Sequence, residues 1–238
     1  MKQQFIEKIP LGQNNDEVEV LVRKSARAKR VSLKINIENR IELVVPSRVS
    51  IKKAIAFLHQ QRVWLENKMN HQDFYKSIPF THGKTVPVAG NECIIHHTGN
   101  IRGVSYIKDN ILYVSGLNEH IPSRVKSHLN VVAKDNLTEL SVGYANQLNV
   151  SIKNITLRDT KTRWGSCSHR GALSFSWRLV LAPYEVMAYV AAHEVAHLRE
   201  MNHSQRFWKL VESICPDYQQ HRDWLKKHGR TLQLYGMV

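Results

Sequence analysis

Tyr189-Val190-Ala191-Ala192-His193-Glu194-Val195-Ala196-His197-Leu198 is the stretch on which the reading of this chain turns. On a helix, residues four apart stand one turn apart on the same face, so His193 and His197 can offer two imidazole nitrogens to one ion at about 2.0–2.1 Å. Glu194 then falls beside the ion rather than on it. There a carboxylate can take a proton from water that the ion has acidified and pass it to a leaving amine. The motif lies late in an apolar helical run, with Val186, Met187, Tyr189, Val190 and Leu198, that packs a helix against a core. Two imidazoles carried into a core without a partner are costly to desolvate, which favours an occupied pair. The expected chemistry is zinc-dependent hydrolysis of a peptide bond, with metal-dependent hydrolysis of another bond as the runner-up.

A catalytic zinc needs a third protein ligand and one open position. Glu200 continues the helical face, but ligands spread from His193 to Glu200 cover about 10 Å of helix axis, too much for one tetrahedral ion. His203 lies beyond Met201-Asn202, where the chain can leave the helix and fold back over the metal, and Asn tolerates the left-handed backbone such a turn needs. Glu212 and His221 stay in view because later helices could present them. The predicted set is His193, His197 and His203 as ligands with Glu194 as general base. No residue is assigned to the oxyanion: Tyr184, Tyr218, His169 and Arg163 are equal candidates.

Working outward, Pro183 is expected to start the motif helix and Met201-Asn202 to end it. A helix over Ser204–Ile214 follows, broken by Cys215-Pro216, with more helical sequence from Tyr218 to Lys227. Pro122 opens a long backing helix to about Gln147, with Val125, Leu129, Val132, Leu137, Leu140 and Tyr144 at helical spacing. Strands are expected at Ile152–Arg158 and Ala172–Leu181, joined through Thr162–Ser168; shorter ones fall near Thr85–Val88, Cys93–His96, Val104–Ile107 and Ile111–Val114. The stretch Ala172–Arg178, ahead of the motif helix, is the expected edge strand for pairing with an extended substrate. Trp164 and Cys167 read as packing residues, and Phe207 and Trp208 as supports for His203.

Near the N-terminus, Val31–Ile37 and Ile41–Val45 alternate apolar and polar residues around Glu38-Asn39-Arg40, a hairpin pattern. Ser50 caps a helical stretch to about Met69, and Asn70 to Phe80 reads as a linker.

With 238 residues the chain can bury a core without metal or disulfide staples, so a metal is functional rather than structural. Cys93, Cys167 and Cys215 are far apart and form no CxxC pair, which predicts a reduced, cytoplasmic protein. No secretion signal and no membrane anchor are expected. A formal net charge of +14 raises nucleic acid as a candidate partner beside a protein or peptide substrate. Arg23, Lys24, Arg27, Lys29, Arg30 and Lys34 cluster, while the other basic residues are spread along the chain. This keeps a second function class open, a nucleic-acid-binding protein with a structural or vestigial metal site, and a hybrid, a protease of DNA-associated proteins.

Three strings, Arg163-Trp164-Gly165-Ser166-Cys167-Ser168, Tyr189–Leu198, and Asn202-His203-Ser204-Gln205-Arg206-Phe207-Trp208, together resemble the YgjP-like metallopeptidases, relatives of the SprT-like zinc proteases. The family pattern makes the His ahead of Ser-x-x-Phe-Trp the third ligand, and here that is His203. The basic hairpin and the helix ending near Trp64 also resemble the family's N-terminal part. Ligand spacing equals that of metzincins, but Glu200 stands where those enzymes place a Gly. The resemblance implies an α+β fold with a zincin-like core of backing helix, small mixed sheet and HExxH helix. The expected division is residues 1–78, a β-hairpin plus helix, and 79–238, the metallopeptidase domain with its core at about 120–216.

Overall fold

The computed structural model describes residues 4–11, 16–36, 40–70 and 76–236. The chain separates into two compact units, Met1–Lys76 and Ser77–Val238.

In the first unit, β1 (Gln4–Leu11), β2 (Asp16–Ser25), β3 (Ser32–Ile35) and β4 (Ile41–Pro46) form a sheet in the order β1-β2-β4-β3. The β3–β4 pair is the expected antiparallel hairpin, with Ser32 opposite Val44 and Ile35 opposite Ile41. Residues 37–39, including Glu38 and Asn39 of the expected turn, lie outside the described residues. β2 runs parallel to β4 and antiparallel to β1, so the hairpin is half of a larger sheet. Alternation sends Val20, Val22, Ile41, Leu43 and Val45 into a core closed by Ala54, Leu58 and Leu65. Those three come from α1 (Ile51–Gln60) and α2 (Arg62–Asn70), two helices where one was expected, divided at Gln61. Ser50 caps α1 as expected, its side chain accepting from the Lys53 N–H.

The second unit begins inside the stretch expected to be a linker. Residues 71–75 lie outside the described residues, but the Ile78 N–H donates to the Leu234 carbonyl at 2.9 Å and Phe80 is buried. β5 (Thr85–Val88), β6 (Asn91–His97), β7 (Tyr106–Lys108) and β8 (Ile111–Val114) form a sheet in the order β5-β6-β8-β7. The long helix α3 (Ile121–Gln147) buries Ile121, Val125, Leu129, Ala133, Leu137, Ser141 and Ala145, a stripe at steps of four. It packs against α4 (Tyr184–Ala196), the motif helix, and so is the backing helix.

Beside this pair lies a smaller sheet of β9 (Asn154–Arg158), β10 (Gly165–Cys167) and β11 (Ala172–Ser176), in the order β10-β11-β9. Two expectations change here. The strand expected over Ala172–Leu181 stops at Ser176, and Trp177–Leu181 wind into a 3-10 helix with all five residues buried. A short apolar run fits a buried strand or a buried helical turn equally well, and packing decides between them. Ala172–Ser176 is also the central strand, parallel to β9 and antiparallel to β10, so it cannot take a substrate on its edge. The edge strand that packs against the motif helix is β10, inside the segment read as a connector.

α5 (Gln205–Ile214) and α6 (Tyr218–Leu232) complete an α+β fold. α6 runs beyond the expected Lys227, held by buried Leu225, Gly229 and Leu232. Among the described residues no helix is long and apolar enough to cross a membrane.

Candidate metal centre

α4 ends a turn earlier than Met201-Asn202: His197 is its C-cap, and the N–H groups of Leu198, Arg199 and Glu200 turn back onto Val195 and Ala196. This tight exit swings the chain round so that His203 returns over the helix. Ser204 then starts α5, its hydroxyl accepting from the Phe207 N–H at 3.4 Å. Helix, turn and capped helix bring His193, His197 and His203 together, with one nitrogen from each ring within 4.8 Å of the others. The Nε2 atoms of His193 and His203 lie 3.0 Å apart.

The rings are oriented from behind. His197 Nδ1 donates to the Glu200 carbonyl at 3.0 Å, which leaves its Nε2 lone pair free. Glu200 therefore takes part through its backbone, and neither its carboxylate nor Glu212 nor His221 joins the cluster. Phe207 stacks on the His197 ring at 4.5 Å and Trp208 on the His203 ring at 5.8 Å, both near parallel. Burial first, then the His197 and His203 rings and Arg222, bring His193 down to about 3, so it is neutral and one ring nitrogen keeps an available lone pair. Burial also lowers His197.

Glu194 is 5% exposed and sits beneath β10. A Cβ added to Gly165 meets its Oε1 at 2.5 Å, so only glycine leaves room for the carboxylate. Burial pushes this carboxyl up to about 8, against the pull of Arg163. Gly165, Ser166 and Cys167 join Glu194, Met201 and the three histidines around an open pocket of about 270 Å³. The Cys167 thiol is pushed up to about 11 by burial and by Glu194, and stays protonated. Of the four oxyanion candidates none lines this pocket: Tyr184 is exposed at the start of α4, and Tyr218 is stacked on Trp208 and Tyr189. Gly165 and Ser166 are the residues that sequence reasoning passed over, although they lie in one of the strings that carried the resemblance.

The donor set fits a divalent cation. Three imidazoles converge with a carboxylate alongside, and the Nε2 atoms of His193 and His203 face each other at a separation that a shared cation can bridge.

Residues 29–228 match the family described as YgjP-like, metallopeptidase domain. The chain belongs to the YgjP-like metallopeptidases. Membership makes this domain a metal-dependent peptidase acting on proteins or peptides. No curated protein matches the chain. Among solved structures, the metallopeptidase zymogen abylysin of Pyrococcus abyssi is 23% identical, over 38% of this chain and 93% of that one, with a TM-score of 0.35. The metallopeptidase zymogen jannalysin of Methanocaldococcus jannaschii is 22% identical, over 40% and 95%, with a TM-score of 0.31. Likeness at that level decides nothing about the chemistry of this YgjP-like domain.

Proposed function

We propose that this chain is a zinc-dependent peptidase in which His193, His197 and His203 hold the metal and Glu194 is the general base. The observation that carries the reading is the convergence of three ring nitrogens within 4.8 Å beside a buried carboxylate. Three imidazoles and an open side are the donor set of catalytic zinc. Zinc bound there supplies Lewis acidity, polarising the scissile carbonyl and lowering the pKa of water.

The chain's own residues do the rest. Burial alone keeps the Glu194 carboxyl protonated near neutral pH, and a cation held by the three histidines would favour its ionised form. In that form it takes a proton from the attacking water and delivers it to the nitrogen of the leaving fragment. Gly165, by lacking a side chain, keeps the Glu194 carboxylate next to the pocket. The outer edge of β10 offers backbone groups that can pair with an extended substrate across the pocket mouth. Such pairing reads backbone shape and predicts broad tolerance of sequence.

The two units are proposed as separate domains, with the division near residues 76–79 and the zincin-like core between about 120 and 216 in the second. A cytoplasmic site of action is proposed from the unpaired Cys93, Cys167 and Cys215. That the substrates are DNA-associated proteins is proposed from the net charge of +14 together with the resemblance to relatives of the SprT-like proteases. It requires DNA affinity at low salt that falls steeply as salt rises.

The test is elemental analysis of the purified full-length chain with casein cleavage by wild type and Glu194→Gln. Zinc at about one ion per chain, with cleavage reduced about 10³-fold in the variant, is the expected result. Failure to bind zinc after reconstitution overturns the proposal.

A further inference from the structure

A cleft of about 560 Å³ in the second unit lies over the outer face of the β10-β11-β9 sheet. Register puts Thr156, Ser174 and Ser166 side by side across the three strands, all lining the cleft, while Leu173 and Phe175 of β11 point their bulk into the core. Arg158, at the end of β9, and Arg163, just ahead of β10, also line it. No Asp or Glu does. Among the described residues neither arginine makes an ion pair or a side-chain hydrogen bond. Asp159, the nearest acid in sequence, is taken by Lys126 and Arg178, each at 2.9 Å. The cleft is therefore a cationic, hydroxyl-lined surface: Arg163 also acts at a distance on Glu194, and the Arg158 charge is left without a partner among the described residues.

Its position gives that charge a use. Gly165, Ser166 and Cys167 line both this cleft and the pocket of the three histidines, so the two are continuous across the edge strand. A peptide paired with β10 projects alternate side chains toward the sheet face. Guanidinium groups match carboxylates with two parallel hydrogen bonds, and hydroxyls supply further donors. Non-specific binding of single-stranded nucleic acid commonly uses aromatic rings for stacking, and the only aromatic residue lining the cleft, Phe175, is buried.

Resting on the peptidase reading above, we propose that the cleft formed by Arg158, Arg163, Thr156, Ser166 and Ser174 is a subsite for acidic side chains, which makes the chain selective for acidic peptides.

The test separates the subsite from the chemistry. Fluorescein-labelled decapeptides, identical except for a central Glu-Glu, Gln-Gln or Lys-Lys pair, are titrated by anisotropy against the full-length chain carrying Glu194→Gln. The acidic peptide is expected to bind about 10-fold tighter than the Gln peptide. Adding Arg158→Glu reverses the preference toward the Lys peptide, and Arg158→Lys keeps part of it. Lys108→Glu makes the same charge change on the other sheet and is expected to leave the preference intact. Equal binding of Glu and Gln peptides, or equal damage from Lys108→Glu, overturns the proposal. A single-stranded oligonucleotide that displaces the acidic peptide and depends on Arg158 also overturns it, by assigning the cleft to nucleic acid. Wild-type cleavage of the same peptides is scored separately. Preferential binding without cleavage keeps the subsite and removes the peptidase reading; cleavage without preference does the reverse.

Discussion

The second unit holds two groups of three histidines, and they behave oppositely. His82, His96 and His97 belong to the β5-β8 sheet and its approach. His82 Nδ1 accepts from the His97 N–H at 3.0 Å, His97 Nε2 donates to the Gly116 carbonyl at 2.7 Å, and His96 packs edge-on between His82 and Tyr113. His193, His197 and His203 instead have one nitrogen each turned toward a common point, with His193 Nδ1 buried and unpartnered. Histidine content does not distinguish them. What does is whether the protein has already satisfied the ring nitrogens: strands aim alternate rings outward or onto backbone, whereas a helix followed by a tight return aims three of them inward.

The largest effect that can break this comparison is on metal content. His203→Ala is expected to lower bound zinc from about one ion per chain to nearly none, and His96→Ala to leave it unchanged. Elemental analysis of both variants decides it; equal retention removes the distinction between the groups. Next in size is Gly165→Ala. The new Cβ lands 2.5 Å from Glu194 Oε1 and forces the carboxylate aside, while the three histidines are untouched. A loss of about 10²-fold in kcat with zinc retained is expected, since a displaced general base forfeits its contribution. Loss of zinc along with activity shows instead that the two sets of groups are one unit.

The same contrast explains what could be read in advance. His193, Glu194 and His197 need nothing but a helix, and His203 needs only a turn followed by a cap, all local features written in consecutive residues. The backing helix α3 was equally legible from apolar residues at helical spacing, although of the residues named for its face only Val125, Leu129 and Leu137 are fully buried, and Ala133, Ser141 and Ala145 complete the stripe. β10 was not. Gly165-Ser166-Cys167 is too short to show alternation and is a strand only because Phe175, Ser174 and Leu173 lie opposite. β1 is similar: charges interrupt its apolar residues, and its identity comes from pairing with β2. Once β10 is missed, the edge is assigned to its neighbour, and Gly165 passes unnoticed beside the general base. The two-against-one split of the small sheet, with β11 in the middle, is a tertiary fact that no window of sequence contains.

Smaller effects sharpen the comparison at the return to His203. Ser204→Ala removes the hydroxyl that caps α5, and is expected to cost about 1 kcal/mol in urea unfolding. Because the cap fixes the residue that follows His203, zinc affinity should fall several-fold as well, and Ser204→Asp should restore both. The corresponding loss of a satisfied contact in the other group, His82→Ala, is expected to leave zinc affinity untouched, so a shift there points to global destabilisation.

The smallest expected effect concerns a charge that the protein has satisfied fully, the opposite of His193. Burial pushes the Asp159 carboxyl up, but hydrogen bonds from Lys126 and Arg178, with the Arg178 charge, outweigh it and hold the group at about 2, against an ordinary 3.8. Because the folded value is depressed, the stabilisation is present in full above the ordinary value and is lost as pH falls from about 4 through about 2. The Asp159 side chain is 38% exposed, so solvent screening reduces the nominal shift to about 1 kcal/mol or less. Arg178, itself buried, also donates to the Leu232 and Tyr235 carbonyls, so the pair ties the start of the 3-10 turn to the end of the chain. Wild type and Asp159→Asn, compared by urea unfolding at pH 7, 4 and 2.5, should differ most at pH 7 and converge toward the lowest pH. A difference that stays constant with pH means that the substitution removes only packing or hydrogen bonds, and that the charge of Asp159 contributes nothing.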